Sequence, residues 1–254
     1  RRPALEPVML RNALVARRMW PVLLSGFVEP VLYLLAAGLG IAELAGRVQI
    51  GAGRSVGYAA YVAPALLATS SMNGAIYEST TNTFWKLRYQ KVYDAMLASP
   101  LTAADLVLGE ICWAQVRGAC YGAVFLAITV ALGWASATAA LLALPVVLLV
   151  GLTFSALGTL ATTFLRSWQD MELTSLAQAA LFLCSATFFP ISVYPPALRL
   201  LMECTPLYHA TALLRAICLG APDAGMLGHA AYLLVLAAGC TMLAARRIGT
   251  ALSR

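Results

Sequence analysis

Six stretches of this chain stay apolar for the ~20 residues that a helix needs to cross a bilayer core. They run over residues 19–41, 56–76, 106–132, 139–164, 173–189 and 227–245. A backbone in hydrocarbon must satisfy its own N–H and C=O groups, so the pattern predicts an all-α integral membrane protein with six transmembrane helices. Composition agrees: 61% of the 254 residues are hydrophobic and 11% are charged, with mean hydropathy +0.81, against about 25% charged in soluble domains. No repeat, low-complexity tract or linker interrupts residues 1–254, which read as a single membrane domain. The chain begins at Arg1 rather than Met, which points to a missing N-terminal piece, and its start has no signal-peptide layout.

Cations set the orientation. With the N-terminus in the cytoplasm, Arg1, Arg2, Arg11, Arg17, Arg18, Lys86, Arg88, Lys91, Arg166, Arg246, Arg247 and Arg254 lie inside. Arg47, Arg54, Arg199 and Arg215 then lie outside, and Arg117 falls within a span. An even number of spans keeps both termini cytoplasmic, in the inner or plasma membrane. The net charge of +6 does not point to nucleic acid, because the basic residues sit at the ends of apolar runs rather than on one face. The six cysteines form no CxxC pair and read as small buried hydrophobes, with a Cys204–Cys218 disulfide left open.

Three segments are not spans. Within residues 1–18, Leu5, Val8, Met9, Ala13 and Ala16 share a helical face with Trp20, opposite Arg11 and Arg18, which suits an N-terminal helix lying in the membrane interface. Residues 190–220 are too broken by proline for one span and too apolar for a solvated loop. They are expected to form short re-entrant helices in the outer leaflet before the last span, covered by protein or lining a cavity. The third segment, "FWKLRYQKVYDAMLASPLTAADLVLGE", holds the only two lysines. Trp85, Tyr89, Val92, Tyr93 and Met96 recur at helical spacing, with Arg88, Lys91 and Asp94 away from that face. Ser99-Pro100 ends this helix, and Thr102 with Asp105 forms a capping box for the next. The segment is either an aromatic membrane-surface anchor or a docking helix for another protein. No Gly-Lys pair exists, so the chain carries no P-loop of its own.

Three blocks carry a family resemblance: "VGYAAYVAPALLATSSMNGAIYEST", "YDAMLASPLTAADLVLGE" and "FFPISVYPPAL…TPLYHATALLRAICLG". Together they resemble the membrane subunit of ABC-2-type exporters, in the nodulation protein J branch with daunorubicin-type drug exporters as relatives. The resemblance implies six helices, an N-terminal interfacial helix and a cytoplasmic coupling helix, here over 84–98. It places Trp85, Lys86, Arg88, Tyr89, Lys91, Val92, Tyr93, Asp94, Met96 and Leu97 at the dock of a separate P-loop ATP-binding subunit. Two such subunits, carrying the ATP and Mg, would join this chain and a second permease subunit, identical or paralogous. The cargo would be an amphiphile: a lipo-oligosaccharide, glycolipid or drug. No cofactor is expected on this chain, which would be a transporter subunit rather than an enzyme.

Inside the membrane, Glu29 and Arg117 reach similar depth and read as an ion pair or as part of a substrate path. Tyr61, Asn73, Tyr77 and Glu78 on the second span either bond between helices or line that path. His209 reads as a cap within the broken region. Gly53-x-Ser55-x-Gly57 spells a hydrolase elbow, but no strand–turn–helix context is predicted for it. An ion-coupled secondary transporter or a membrane-embedded enzyme are the alternatives; the first calls for an inverted repeat, and none is present.

Overall fold

A computed structural model describes residues 6–18, 28, 31–41, 46–50, 55–90, 92–97, 101–221 and 223–252. The first part of the predicted first span, including Glu29, and also Lys91, Arg54 and the Ser99-Pro100 stop, lie outside these residues, while residues 31–41 of that span are helical and end in a π-helical turn, Ala36–Ile41.

Among the described residues three helices are long and apolar enough to cross a membrane: Ala103–Ala131, Ala137–Thr162 and Gly225–Thr250. In chain order the helices are α1 (Glu6–Arg18), α2 (Tyr58–Tyr77), α3 (Thr83–Arg88), α4 (Val92–Leu97), α5 (Ala103–Ala131), α6 (Ala137–Thr162), α7 (Met171–Leu183), α8 (Pro196–Glu203), α9 (Pro206–Cys218) and α10 (Gly225–Leu252). The starts of α5 and α6 follow local chemistry. Thr102 and Asp105 form the predicted capping box, with Thr102 N–H donating to Asp105 Oδ2 at 2.9 Å and Asp105 N–H to Thr102 Oγ1 at 3.2 Å. Ser136 caps α6 through Ala139 N–H at 3.1 Å.

α2 packs against α5, α6 and α9 and is enclosed along most of its length. A helix apolar on all sides belongs at the centre of a bundle. Small residues let its neighbours close in: a Cβ on Gly118 would stand 3.0 Å from the Ser71 carbonyl oxygen, and one on Gly158 would stand 2.0 Å from Ser79 Oγ. Ser79 Oγ donates to the Ala75 carbonyl at 2.7 Å and is not free to swing aside.

The helical reading stands, with one small exception and two local changes. The exception is a hairpin, β1 (Arg47–Gln49) with β2 (Ser55–Gly57), which pairs antiparallel with Val48 opposite Val56. Ser55 opens β2, which runs directly into α2 at Tyr58, but the sheet is a two-stranded antiparallel hairpin rather than the α/β sheet a nucleophile elbow needs, and the Ser55 hydroxyl accepts from Arg47 Nε at 2.9 Å. The inward stripe of α1 is Val8 and Asn12, while Leu10, Leu14 and Ala13 face outward. Gly109 permits this, since a Cβ there would lie 2.7 Å from Val8 Cβ. Finally, the fifth predicted span stops at Leu183, not Phe189. Ser185 and Thr187 turn their hydroxyls back onto the Leu181 and Phe182 carbonyls, and Ala186 adopts φ 53°. Such back-bonding competes with the helix ladder. Short helices α8 and α9 follow, each with proline in its first turn. Cys204 and Cys218 are free thiols.

Gly158→Val forces a branched side chain against Ser79 and is expected to cost about 1–3 kcal/mol by overpacking. Gly239, whose Cβ position meets nothing within 4 Å, is the control. Thermal unfolding in detergent should drop for Gly158→Val and not for Gly239→Ala; equal midpoints contradict the close approach of α6 to Ser79, just beyond the end of α2.

Candidate functional site

The aromatic segment is no free-standing helix. α2 runs without a loop through a π-helical turn, Glu78–Asn82, into α3. Hydroxyl back-bonding loosens the ladder there: Thr80 Oγ1 donates to the Ile76 carbonyl at 2.6 Å and Thr83 Oγ1 to the Glu78 carbonyl at 3.4 Å. Asn82 Nδ2 donates to Glu78 Oε2 at 2.6 Å across the same turn.

The single amphipathic helix predicted over Trp85–Leu97 is therefore corrected to two short helices. α3 closes at Tyr89 and Gln90, whose N–H groups both reach the Trp85 carbonyl at 3.1 Å, and α4 begins at Val92. The physical reason is Tyr93. On a continuous helix it would share the face of Trp85 and Tyr89, two turns on. The break turns it inward, where it is 1% exposed and packs with Leu106, Val107 and Ile111. Trp85 and Tyr89 remain 45% and 54% exposed and stack at 4.6 Å. Trp168, from the turn between α6 and α7, meets Trp85 edge-on at 6.0 Å. Arg88 Nη2 fastens the two turns together by donating to the Leu165 carbonyl at 3.2 Å.

Beneath this aromatic surface lies Glu110 on α5, buried at 2% exposure. Its Oε2 accepts from Lys86 Nζ at 2.6 Å and from Asn12 Nδ2 at 3.1 Å. One carboxylate thus ties α3, α5 and α1 together. Lys86 was expected on the docking face and is instead buried, because Glu110 draws its ammonium inward. The Tyr93 hydroxyl neighbours Glu110 and Thr83. Neither that hydroxyl nor Glu110 Oε1 has a hydrogen bond of ordinary geometry among the described residues. Burial first, and the Glu110 carboxylate second, hold the Tyr93 phenol well above its usual range.

Two turns along α5, Arg117 faces Glu78, Nη1 to Oε2 at 2.9 Å. Its Nη2 donates to the Tyr121 hydroxyl at 3.1 Å, and its guanidinium lies 4.5 Å from the Tyr77 ring centre. Among the described residues Glu78 is the ion-pair partner of Arg117; the predicted partner Glu29 lies outside the described residues. The two pairs, Glu78 with Arg117 and Lys86 with Glu110, oppose each other in sign along antiparallel helices. A cavity of about 320 Å³ opens between them, lined by Arg11, Asn12, Tyr77, Trp85 and Trp113 among others. A second, of about 230 Å³, is lined by Asn73, Tyr77, Thr80, Arg117 and Tyr121, with Ser175 and Gln178 from α7. Tyr77 and Arg117 form the wall common to both.

Of the other predicted residues, Asn73, Tyr77, Glu78 and Arg117 come together here, and Tyr61 and His209 do not. Tyr61 lies at the far end of α2, its ring centre 4.0 Å from the Arg215 guanidinium. His209 pairs with His229, Nδ1 to Nδ1 at 2.7 Å, and stacks on Tyr232. Val92, Asp94, Met96 and Leu97 lie on α4. Sequence reasoning missed Asn12, Glu110 and Trp168. A carboxylate inside an apolar run was the available signal for Glu110.

The model of the ABC-2 type transporter family matches residues 6–219, which takes in every element named above except α10. Three relatives are each named "Nodulation protein J". The chain is 34% identical to that of Rhizobium leguminosarum bv. trifolii over 215 residues, 84% of this chain and 80% of the relative. It is 31% identical to that of Rhizobium meliloti over 202 residues, 79% of this chain and 75% of the relative. It is also 31% identical to that of Bradyrhizobium diazoefficiens over 228 residues, 86% of this chain and 83% of the relative.

Two outcomes follow from the Glu110 junction. Lys86→Met strands a buried carboxylate and should cost about 3–5 kcal/mol, whereas Lys86→Met with Glu110→Leu should recover most of that. Detergent unfolding of the single and double variants decides it. Tyr93 supplies the pH dependence. A phenol raised in the fold contributes fully below its unfolded value of about 10, and the contribution is lost as pH rises toward the folded value. Tyr93→Phe should therefore flatten the alkaline fall in unfolding temperature; an unchanged slope refutes the assignment.

Proposed function

The chain belongs to the ABC-2 type transporter family, and from that premise we propose how it works. It is a multi-pass membrane subunit of an ATP-binding-cassette transporter, and membership implies an ATP-binding partner subunit. In our reading it exports an amphiphile, such as a lipo-oligosaccharide, glycolipid or drug, across the cytoplasmic membrane. Six spans keep both termini in the cytoplasm. α1 lies in the interface with Leu10 and Leu14 toward lipid, and α8 and α9 are re-entrant from the outer side. Two ATPase subunits, holding ATP and Mg, act on this chain and a second permease subunit, a copy or a paralogue.

The observation that carries the reading is the exposed Trp85–Tyr89 stack on a helix continuous with α2 and ion-paired to α5. A partner cleft that closes on this stack pulls on no loop. Its displacement passes along the backbone of α3 into α2, and through Lys86 and Glu110 into α5 and α1. Buried, paired charges resist separation, so these segments move together and reorient the spans around the two cavities by alternating access. Glu78 and Arg117, with Tyr77 and Asn73, then line the route at the cytoplasmic side. The chemistry asked of this chain is binding and movement; nucleotide hydrolysis belongs to the partner.

Trp85→Ala with Tyr89→Ala removes exposed rings and leaves Lys86 and Tyr93 in place. Co-purification with the P-loop subunit, and transport-coupled ATP hydrolysis in proteoliposomes, should fall at least about tenfold, as loss of central aromatic anchors does at interfaces. Unfolding temperature should hold. Full-rate transport by the purified chain without any nucleotide-hydrolysing subunit would overturn the proposal.

A further inference from the structure

Sixteen residues separate Tyr61 from Tyr77 on α2, about 24 Å at helical rise, so Tyr61 and Arg215 mark the end of the bundle away from Glu110. Arg215 on α9 is partly buried there. Its Nε donates to the Tyr61 carbonyl at 3.2 Å, and its Nη2 to the carbonyls of Ala186 and Thr187 at 2.8 and 2.7 Å. The Tyr61 ring centre lies 4.0 Å from the guanidinium and fixes its plane. Every one of these acceptors is neutral. Among the described residues Arg215 makes no ion pair, and Nη1 has no hydrogen-bond partner. The titratable groups around it are phenols, Tyr58, Tyr61, Tyr194 and Tyr208, which carry no charge at neutral pH.

The same guanidinium lines a cavity of about 410 Å³, together with Gln49, Tyr61, Ser192, Tyr208 and Ala212. Asp223 is also in the wall, but its Oδ1 accepts the Met226 N–H at 3.2 Å as the cap of α10. The Arg215 cation is held by neutral carbonyls and forms no ion pair with Asp223, the one carboxylate in the wall, and with Nε and Nη2 spent on those carbonyls the Nη1 hydrogens remain to donate to an oxyanion. We propose that this cavity binds the anionic headgroup, phosphate or carboxylate, of an amphiphile, with Arg215 Nη1 as the donor. The amphiphile part rests on the permease reading above; the oxyanion part rests on the geometry alone.

The test is equilibrium binding to the purified full chain in a nonionic detergent, with no ATPase subunit present. The probes are dioctanoyl phosphatidate, dioctanoylglycerol and inorganic phosphate. Arg215→Gln removes the donor together with its carbonyl ties. Ala212→Asp is the second variant, because it leaves those ties intact and brings a carboxylate into the same cavity. Phosphatidate should bind the native chain, and at least tenfold more weakly in both variants, while dioctanoylglycerol does not respond to either. Inorganic phosphate bound as tightly as phosphatidate, and lost in the same variants, keeps the oxyanion site and assigns it to a free anion. Phosphatidate binding that is absent from the native chain, or unchanged in Ala212→Asp and Arg215→Gln, overturns the proposal. The readout involves neither hydrolysis nor transport, so its failure leaves the permease reading standing, and failure of that reading leaves the binding result intact.

Discussion

One carboxylate holds the Glu110 end of this fold together. Glu110 stands seven residues into α5, in an environment that penalises an unpaired charge by several kcal/mol. Its two described contacts come from distant parts of the chain, Lys86 at a separation of 24 residues and Asn12 at 98. Neither α1 nor α3 is long enough to be a stable helix alone in water. Their positions are set by what they bring to Glu110, and by Val8 seated where Gly109 leaves no side chain. Everything exposed above, including the stack of Trp85 on Tyr89, is aimed by that buried contact.

The second pair, Glu78 with Arg117, divides the polar interior rather than anchoring it. Tyr77 and Arg117 border two cavities at once, and the Tyr121 hydroxyl holds the guanidinium from the far side. A wall made of a cation between two aromatic rings can shift without exposing bare charge to lipid.

What could be read from the residues beforehand was whatever depends on neighbours within a turn or two. The Thr102 and Asp105 cap is such a feature, being an exchange between positions three apart. The long apolar helices α5, α6 and α10 are another, since length and composition suffice. The aromatic segment was recognised as special from its spacing, yet its shape was misjudged. Helical periodicity assigned Tyr93 to the outer face, and only contact with Leu106 and Val107 turns it in. Lys86 was misassigned for the same reason, because a lysine's burial depends on a carboxylate that local pattern does not reveal. The stop at Leu183 likewise needs Ser185, Thr187 and Arg215 acting jointly, two of them local and one from another helix.

The uninterrupted backbone from Tyr58 to Arg88 has a consequence for how this chain can vary. Each residue of helix adds about 100° of rotation, and the π turn at Glu78–Asn82 already absorbs an irregularity in that count. Adding or deleting one residue anywhere along this stretch would swing Lys86 away from Glu110 and carry Trp85 to a different side. Drift in length, tolerated in most connections between helices, is closed to this one: its residue number acts as a phase setting between the bundle core and the exposed aromatic stack.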